Sequence, residues 1–158
     1  MSITAIGPAA GDVAAKIMPL SQPELELRGI LGCVPRVSWI SGMDSMPEWF
    51  NVLAVEYSGG ATPSGEGWEW TGFIHPDDVT DVRAAAERGA DTQMWYEVDC
   101  RLRRHDGRFF WHRVMAMPMA GADGRVNRWA CTAADIEDQK AVAATLREAQ
   151  RVSAEARL

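Results

Sequence analysis

His75-Pro76-Asp77-Asp78, with Arg101-Leu102-Arg103-Arg104-His105-Asp106-Gly107 behind it, is the part of this chain that decides its fold. Pro76 suits the first position of a helix, where its fixed φ helps and its missing N–H costs nothing. Asp77 and Asp78 then stand where the helix dipole favours negative charge. His75 falls at or beside the N-cap. The tetrad therefore reads as helix-start chemistry, with His75, Asp77 and Asp78 as structural cap residues rather than a metal site or a general-base pair. Val79, Val82 and Ala86 share one face of the helix so begun, and Gly89 is expected to stop it.

Tyr96-Glu97-Val98-Asp99-Cys100-Arg101-Leu102-Arg103 alternates with a strict period of two and is the clearest strand in the chain. Asp106-Gly107 is a favoured two-residue hairpin turn, and residues 109–117 supply the partner strand, which Pro118 is expected to end. Asp123-Gly124 makes a second turn before a third strand at 126–133. From Glu137 onward the composition switches to Ala, Glu, Gln, Lys and Arg, which form helix to the end of the sequence.

Working upstream, residues 1–22 are rich in Ala, Gly and Pro, with a short helix conceivable at 12–18 behind an Asp12 cap. A helix is expected at 24–31, closed by Gly32 and Pro35. A strand follows at 36–40, a turn at Gly42-Met43-Asp44, and a returning strand at Trp49-Phe50-Asn51-Val52. The Gly- and Ser-rich residues 55–66 read as irregular or briefly helical.

At 158 residues the chain is long enough for one domain with a real core. Its net charge of -6 and the absence of a basic face argue against nucleic acid as a main partner. Arg101, Arg103, Arg104 and Arg108 alternate with apolar residues and are balanced by Glu97, Asp99 and Asp106, as on a solvated strand face. Cys33, Cys100 and Cys131 are odd in number and widely spaced, which fits neither a disulfide framework nor a zinc site and points to a reducing compartment. No basic n-region opens the chain and no run approaches the length of a membrane span, so a cytoplasmic location is the expectation.

In this order, Trp70 before Ile74-His75-Pro76-Asp77-Asp78, the Arg-rich strand and Asp-Gly turn, Trp111, and then Asp135-Ile136 before Lys140, the chain resembles a bacterial PAS sensory domain. Glu56-Tyr57-Ser58-Gly59 is similar to the stretch that follows the second PAS strand. The resemblance covers roughly 31–140. It implies an α+β fold: a five-stranded antiparallel sheet with helices over one face, an N-terminal extension (1–25), the PAS domain (26–136) and a C-terminal signalling helix (137–158). It also implies that Asp135 and Ile136 form a signal-relay junction between the sheet and that exit helix. Asp135 read without the resemblance is a helix N-cap, and the two readings are compatible. Cys131, in Trp129-Ala130-Cys131-Thr132, stands where related domains usually carry Gly, and is expected to narrow the cavity. The Asn-Cys-Arg-Phe-Leu-Gln stretch of the flavin-binding light sensors is missing, which argues against flavin.

A two-residue turn at Asp106-Gly107 pairs Leu102 with Trp111, Arg101 with His112 and Cys100 with Arg113. Directly paired residues share a face. Tyr96, Val98, Cys100, Leu102, Trp111, Arg113 and Met115 are then expected on the inner face, with all but Leu102 as ligand-pocket candidates. Arg113 is expected to meet an acidic ligand or an internal carboxylate, because a lone inner-face Arg is costly. His112 is expected on the outer face, which disfavours haem. A longer turn reverses all of this, since a one-residue slip moves every side chain to the other face. Met115, Met117 and Met119 read as adaptable packing.

No catalytic constellation is present: Ser and Cys residues lack a His at motif spacing, and no Gly-rich phosphate loop precedes a helix. The function implied is a sensory input module in a bacterial signalling protein, foremost the input domain of a histidine kinase. The alternatives are the input of a diguanylate cyclase, a ligand-free dimerisation scaffold, or a haem-type gas or redox sensor. No cofactor or metal is assigned, and an unidentified small ligand is allowed. Val142, Leu146, Ala149 and Ala156 give the exit helix a thin seven-residue stripe, so a homodimer through the terminal helices is expected, with an output domain following in a longer chain.

Overall fold

The computed structural model describes residues 21–60 and 70–157. The helix expected at 12–18 and the Trp68-Glu69 stretch lie outside them. Helix α1 (Gln22–Cys33) starts with Pro in its first turn and runs through Gly32, two residues beyond the expected stop. Strands β1 (Val37–Gly42) and β2 (Pro47–Phe50) form a hairpin, and helix α2 (Val52–Ser58) follows.

The returning strand ends at Phe50 rather than Val52 because Asn51 is used differently. Its side-chain oxygen accepts the N–H groups of Ser38 at 3.1 Å and Ala54 at 2.9 Å, and its amide donates to the Arg36 carbonyl at 2.8 Å. One buried amide thus caps α2 and ties it to β1.

Short 3₁₀ turns at Trp70–Phe73 and Pro76–Asp78 lead into helix α3 (Val79–Thr92). Gly89 does not stop this helix, which ends at Gln93 in the left-handed conformation (φ 58°). Gly89 is instead a point of close approach. A Cβ placed there would lie 2.3 Å from Cδ1 of Tyr96.

Strands β3 (Tyr96–Arg103), β4 (Phe109–Ala120) and β5 (Val126–Asp135) complete a five-stranded antiparallel sheet in the order β2-β1-β5-β4-β3. β4 continues through Pro118. β3 begins opposite Ala116, so Pro118 lies where β4 pairs on one side only, a position that tolerates proline. The helix α4 (Glu137–Glu155) leaves the end of β5 with no buried residue along its length. No helix among the described residues is long and apolar enough to cross a membrane.

The β3–β4 connection corrects the expected register. Arg104 N–H donates to the Arg108 carbonyl at 2.8 Å and Gly107 N–H to the Arg104 carbonyl at 2.9 Å, with Gly107 at φ 81°. This is a three-residue loop, a tight turn closed by a left-handed glycine. Cys100 therefore pairs with His112, Arg101 with Trp111 and Asp99 with Arg113. The slip of one residue sends Trp111, Arg113 and Met115 to the outer face and brings His112 inside. His112 is 3% exposed, whereas the Arg113 side chain is 44% exposed.

On the inner face of the sheet, Cys100, Val114 and Ala133 form one cluster with Ile74 from between the 3₁₀ turns, and Ala116, Trp129 and Cys131 form another. Trp39 packs against both. On the outer face, Glu24 of α1 reaches Arg128 at 3.3 Å, one residue out of phase with the inward Trp129.

Candidate functional site

The inner face, α2, the 3₁₀ turns and α3 enclose a cavity of about 140 Å³. Of the residues expected to line it, Tyr96, Val98 and Cys100 do so; Trp111, Arg113 and Met115 do not. Leu102, which the alternation also placed inside, lines it too, and the other walls come from residues that the alternation did not single out. These include Trp39 and Trp129 from the sheet, Tyr57 from α2, Trp70 and Phe73 from the first 3₁₀ turn, and Val82 and Ala86 from α3. The alignment of Val82 and Ala86 on one helical face was the available signal for α3. The aromatic residues carry no period that would assign them. Cys131 lines the cavity.

Apart from Arg103, the residues lining the cavity carry no charge. Burial pushes the thiols of Cys100 and Cys131 up to about 12, so both are neutral near pH 7 and poor nucleophiles. Burial, helped by Asp135, pushes the Tyr57 hydroxyl up to about 12, and Tyr96 is raised by burial as well. The Tyr57 hydroxyl donates to the Leu102 carbonyl at 3.2 Å. His112 faces inward but stands outside the cavity walls, where its ring meets Tyr57 edge-on at 5.3 Å and its Nδ1 lies 2.8 Å from the Phe110 carbonyl. Among the described residues no cluster of three His, Cys, Asp or Glu could hold a metal ion.

A second arrangement links the start of α3 to the start of α4. His75 caps the 3₁₀ turn as expected, its Nδ1 accepting Asp77 N–H at 3.1 Å, while Asp77 itself is exposed. Asp78 is no cap. Its carboxylate accepts Arg101 N–H at 2.8 Å and the Arg101 guanidinium at 2.9 Å through two nitrogens. Arg101 holds the Asp78 carboxyl below the usual range, chiefly through the side-chain hydrogen bond. The same guanidinium lies 4.8 Å from the centre of a Trp111 ring, and Lys140 Nζ of α4 lies 4.7 Å from that ring. Both are cation–π contacts.

Trp111 is also tied to α4 through its backbone. Its N–H donates to Glu137 Oε2 at 2.6 Å, and its carbonyl accepts Ile136 N–H at 2.9 Å. Lys140 Nζ and the Arg113 guanidinium both bind Asp99, at 3.0 and 2.8 Å, which holds the Asp99 carboxyl low. Arg113 thus has its carboxylate, but on the outer face. Asp135 accepts Glu137 N–H at 2.9 Å at the foot of α4, and Ile136, 4% exposed, anchors the corner.

Comparison with known proteins fits this architecture. Residues 59–133 match a family model described as PAS fold. The uncharacterized protein y4lL of Sinorhizobium fredii is 27% identical over 121 residues, which make up 73% of this chain and 14% of that protein; the chain spans a small part of its relative's length. A solved sensory box histidine kinase/response regulator from Burkholderia thailandensis superposes with a TM-score of 0.58 at 20% identity, covering 85% of this chain and 99% of that one. A light-oxygen-voltage domain studied with a flavin analogue gives a TM-score of 0.55 at 20% identity, covering 80% of this chain and 96% of that one. The fold is the PAS fold, an α+β architecture with a five-stranded antiparallel sheet.

Proposed function

Because this chain carries a PAS domain, we propose that it is the sensory input module of a longer bacterial signalling protein, with a histidine kinase as the output. Residues 26–136 form the input unit and 137–158 lead to the output domain. A small molecule in the cavity shifts the wall formed by the 3₁₀ turns and α3. Asp78, at the foot of α3, moves with that wall and carries Arg101 and the Trp111 ring with it, and Trp111 passes the shift to α4 through Glu137 and Lys140. One observation carries this reading: Trp111 is held at one side by Arg101, the partner of Asp78, and at the other by Lys140 and Glu137 of the exit helix.

The kinase assignment leans on the likeness to the Burkholderia protein, and the exposed stripe on α4 suits a paired helix leading to a dimeric output. No cofactor is assigned to the cavity, and an unidentified small ligand is the occupant proposed. We place the module in the cytoplasm on the odd number and wide spacing of Cys33, Cys100 and Cys131, which suit a reducing compartment.

Mass spectrometry of the undenatured protein, with and without Ala86→Phe to fill the cavity, tests the proposal. A stoichiometric small-molecule adduct that disappears in the variant supports it. A bare mass in both, with amide exchange in α4 indifferent to the filled cavity, favours a ligand-free scaffold.

A further inference from the structure

Arg103 is the charged residue among those lining the cavity, and it is exposed, which puts it at the mouth. Two arginines near it in sequence are paired: Arg101 with Asp78 and Arg104 with Asp106. Among the described residues no carboxylate pairs with Arg103, whose guanidinium carbon lies 5.6 Å from the centre of the Phe73 ring. Behind it the walls are aromatic and uncharged, and the cavity measures about 140 Å³. That is close to the roughly 150 Å³ apolar cavity that holds a single benzene ring, and well below the ~300–1,000 Å³ that encloses a drug-sized ligand.

Resting on the reading that the cavity takes a ligand, we propose that its ligand class is the single-ring aromatic monocarboxylates, with the ring among Trp39, Trp70, Phe73 and Trp129 and the carboxylate on the Arg103 guanidinium. The largely apolar interior takes the ring and offers an anion no charged partner, so the carboxylate stays at the mouth. There Arg103 presents a planar fork that matches a carboxylate with two parallel hydrogen bonds. The Phe73 ring beneath it holds the side chain in place, which reduces the ordering cost on binding.

The test uses benzoate and phenylacetate against benzyl alcohol, a neutral ring of similar size, titrated into the full chain by calorimetry and tryptophan emission. Benzoate or phenylacetate should bind saturably and at least about tenfold more tightly than benzyl alcohol. Arg103→Gln should remove that preference while leaving benzyl alcohol binding unchanged, and Arg103→Lys should restore part of it. If benzyl alcohol binds the unaltered protein as well as the acids, or Arg103→Gln leaves acid binding intact, the carboxylate assignment is overturned while the sensory cavity stands. If no ring compound binds at millimolar concentration, this inference is overturned, and the cavity reading still stands or falls by the mass-spectrometric adduct.

Discussion

Asp78 takes three hydrogen bonds from a single residue, Arg101: one from the backbone N–H at 2.8 Å and two from the guanidinium at 2.9 Å. The contact joins the foot of α3 to the free edge of β3 across 23 residues of sequence. Charge-assisted bonds of this kind are each worth more than a neutral pair. Asp78→Asn keeps the shape but loses the charge and one acceptor, and should lower unfolding free energy by about 2 kcal/mol. Urea denaturation of the two proteins measures it.

The same pairing gives the fold an acid limit. Asp78 and Asp99 are both held below their ordinary value, so the native state keeps them ionised more readily than the unfolded chain does. Their stabilisation is fully present above the unfolded aspartate value, about 3.9, and is lost as pH falls through the lower folded values. Stability should therefore hold from neutral pH down to about 4 and decline below it, and Asp78→Asn should flatten that decline. Thermal melts from pH 7 to 3 give the comparison.

Gly89→Ala should destabilise the protein, although the same change in an open helix stabilises by about 1 kcal/mol. The added methyl would sit 2.3 Å from Cδ1 of Tyr96 and 3.3 Å from Cη2 of Trp129. Both rings line the cavity, so relief of the clash pushes Tyr96 into it. A loss of about 2 kcal/mol is expected from overpacking, read by denaturant unfolding.

The strand at 96–103, the start at Pro76 and the two Asp-Gly turns were legible because each follows a local rule: alternation, fixed φ, left-handed glycine. The facing of β4 was not. Asp-Gly fits a two-residue turn, and it equally ends a three-residue loop, as it does here with Gly107 at φ 81°. The choice is made by the Arg104–Arg108 backbone pair, and Trp111 and His112 are each large enough to serve either face. That one residue moved half of the expected pocket outside and put Arg113 on Asp99. Asn51 and Gly89 were misread for a related reason. Their roles, an amide satisfying β1 and α2 together and a gap for a tyrosine ring, depend on partners distant in sequence.

The exit helix exposes Val142 and Leu146 on the stripe noted in its sequence, at 68% and 58%, with Val152 also exposed at 53%. Pairing of two copies along this side buries them. The full chain is expected to be a dimer; truncation after Lys140 keeps the Trp111 and Asp99 contacts but removes the stripe, and should give a monomer. Light scattering decides between them, and a truncated protein that remains dimeric places the contact elsewhere.

We expect the foot of α3 and the foot of α4 to be coupled through Arg101 and Trp111. Amide hydrogen exchange of Asp78→Asn, compared with the unaltered protein, reads this coupling. Faster exchange over residues 137–143, with β1 and β2 unchanged, is the predicted result, because a loosened Arg101 no longer holds the Trp111 ring against Lys140. Exchange in α4 that stays at its original rate while α3 loosens would contradict it.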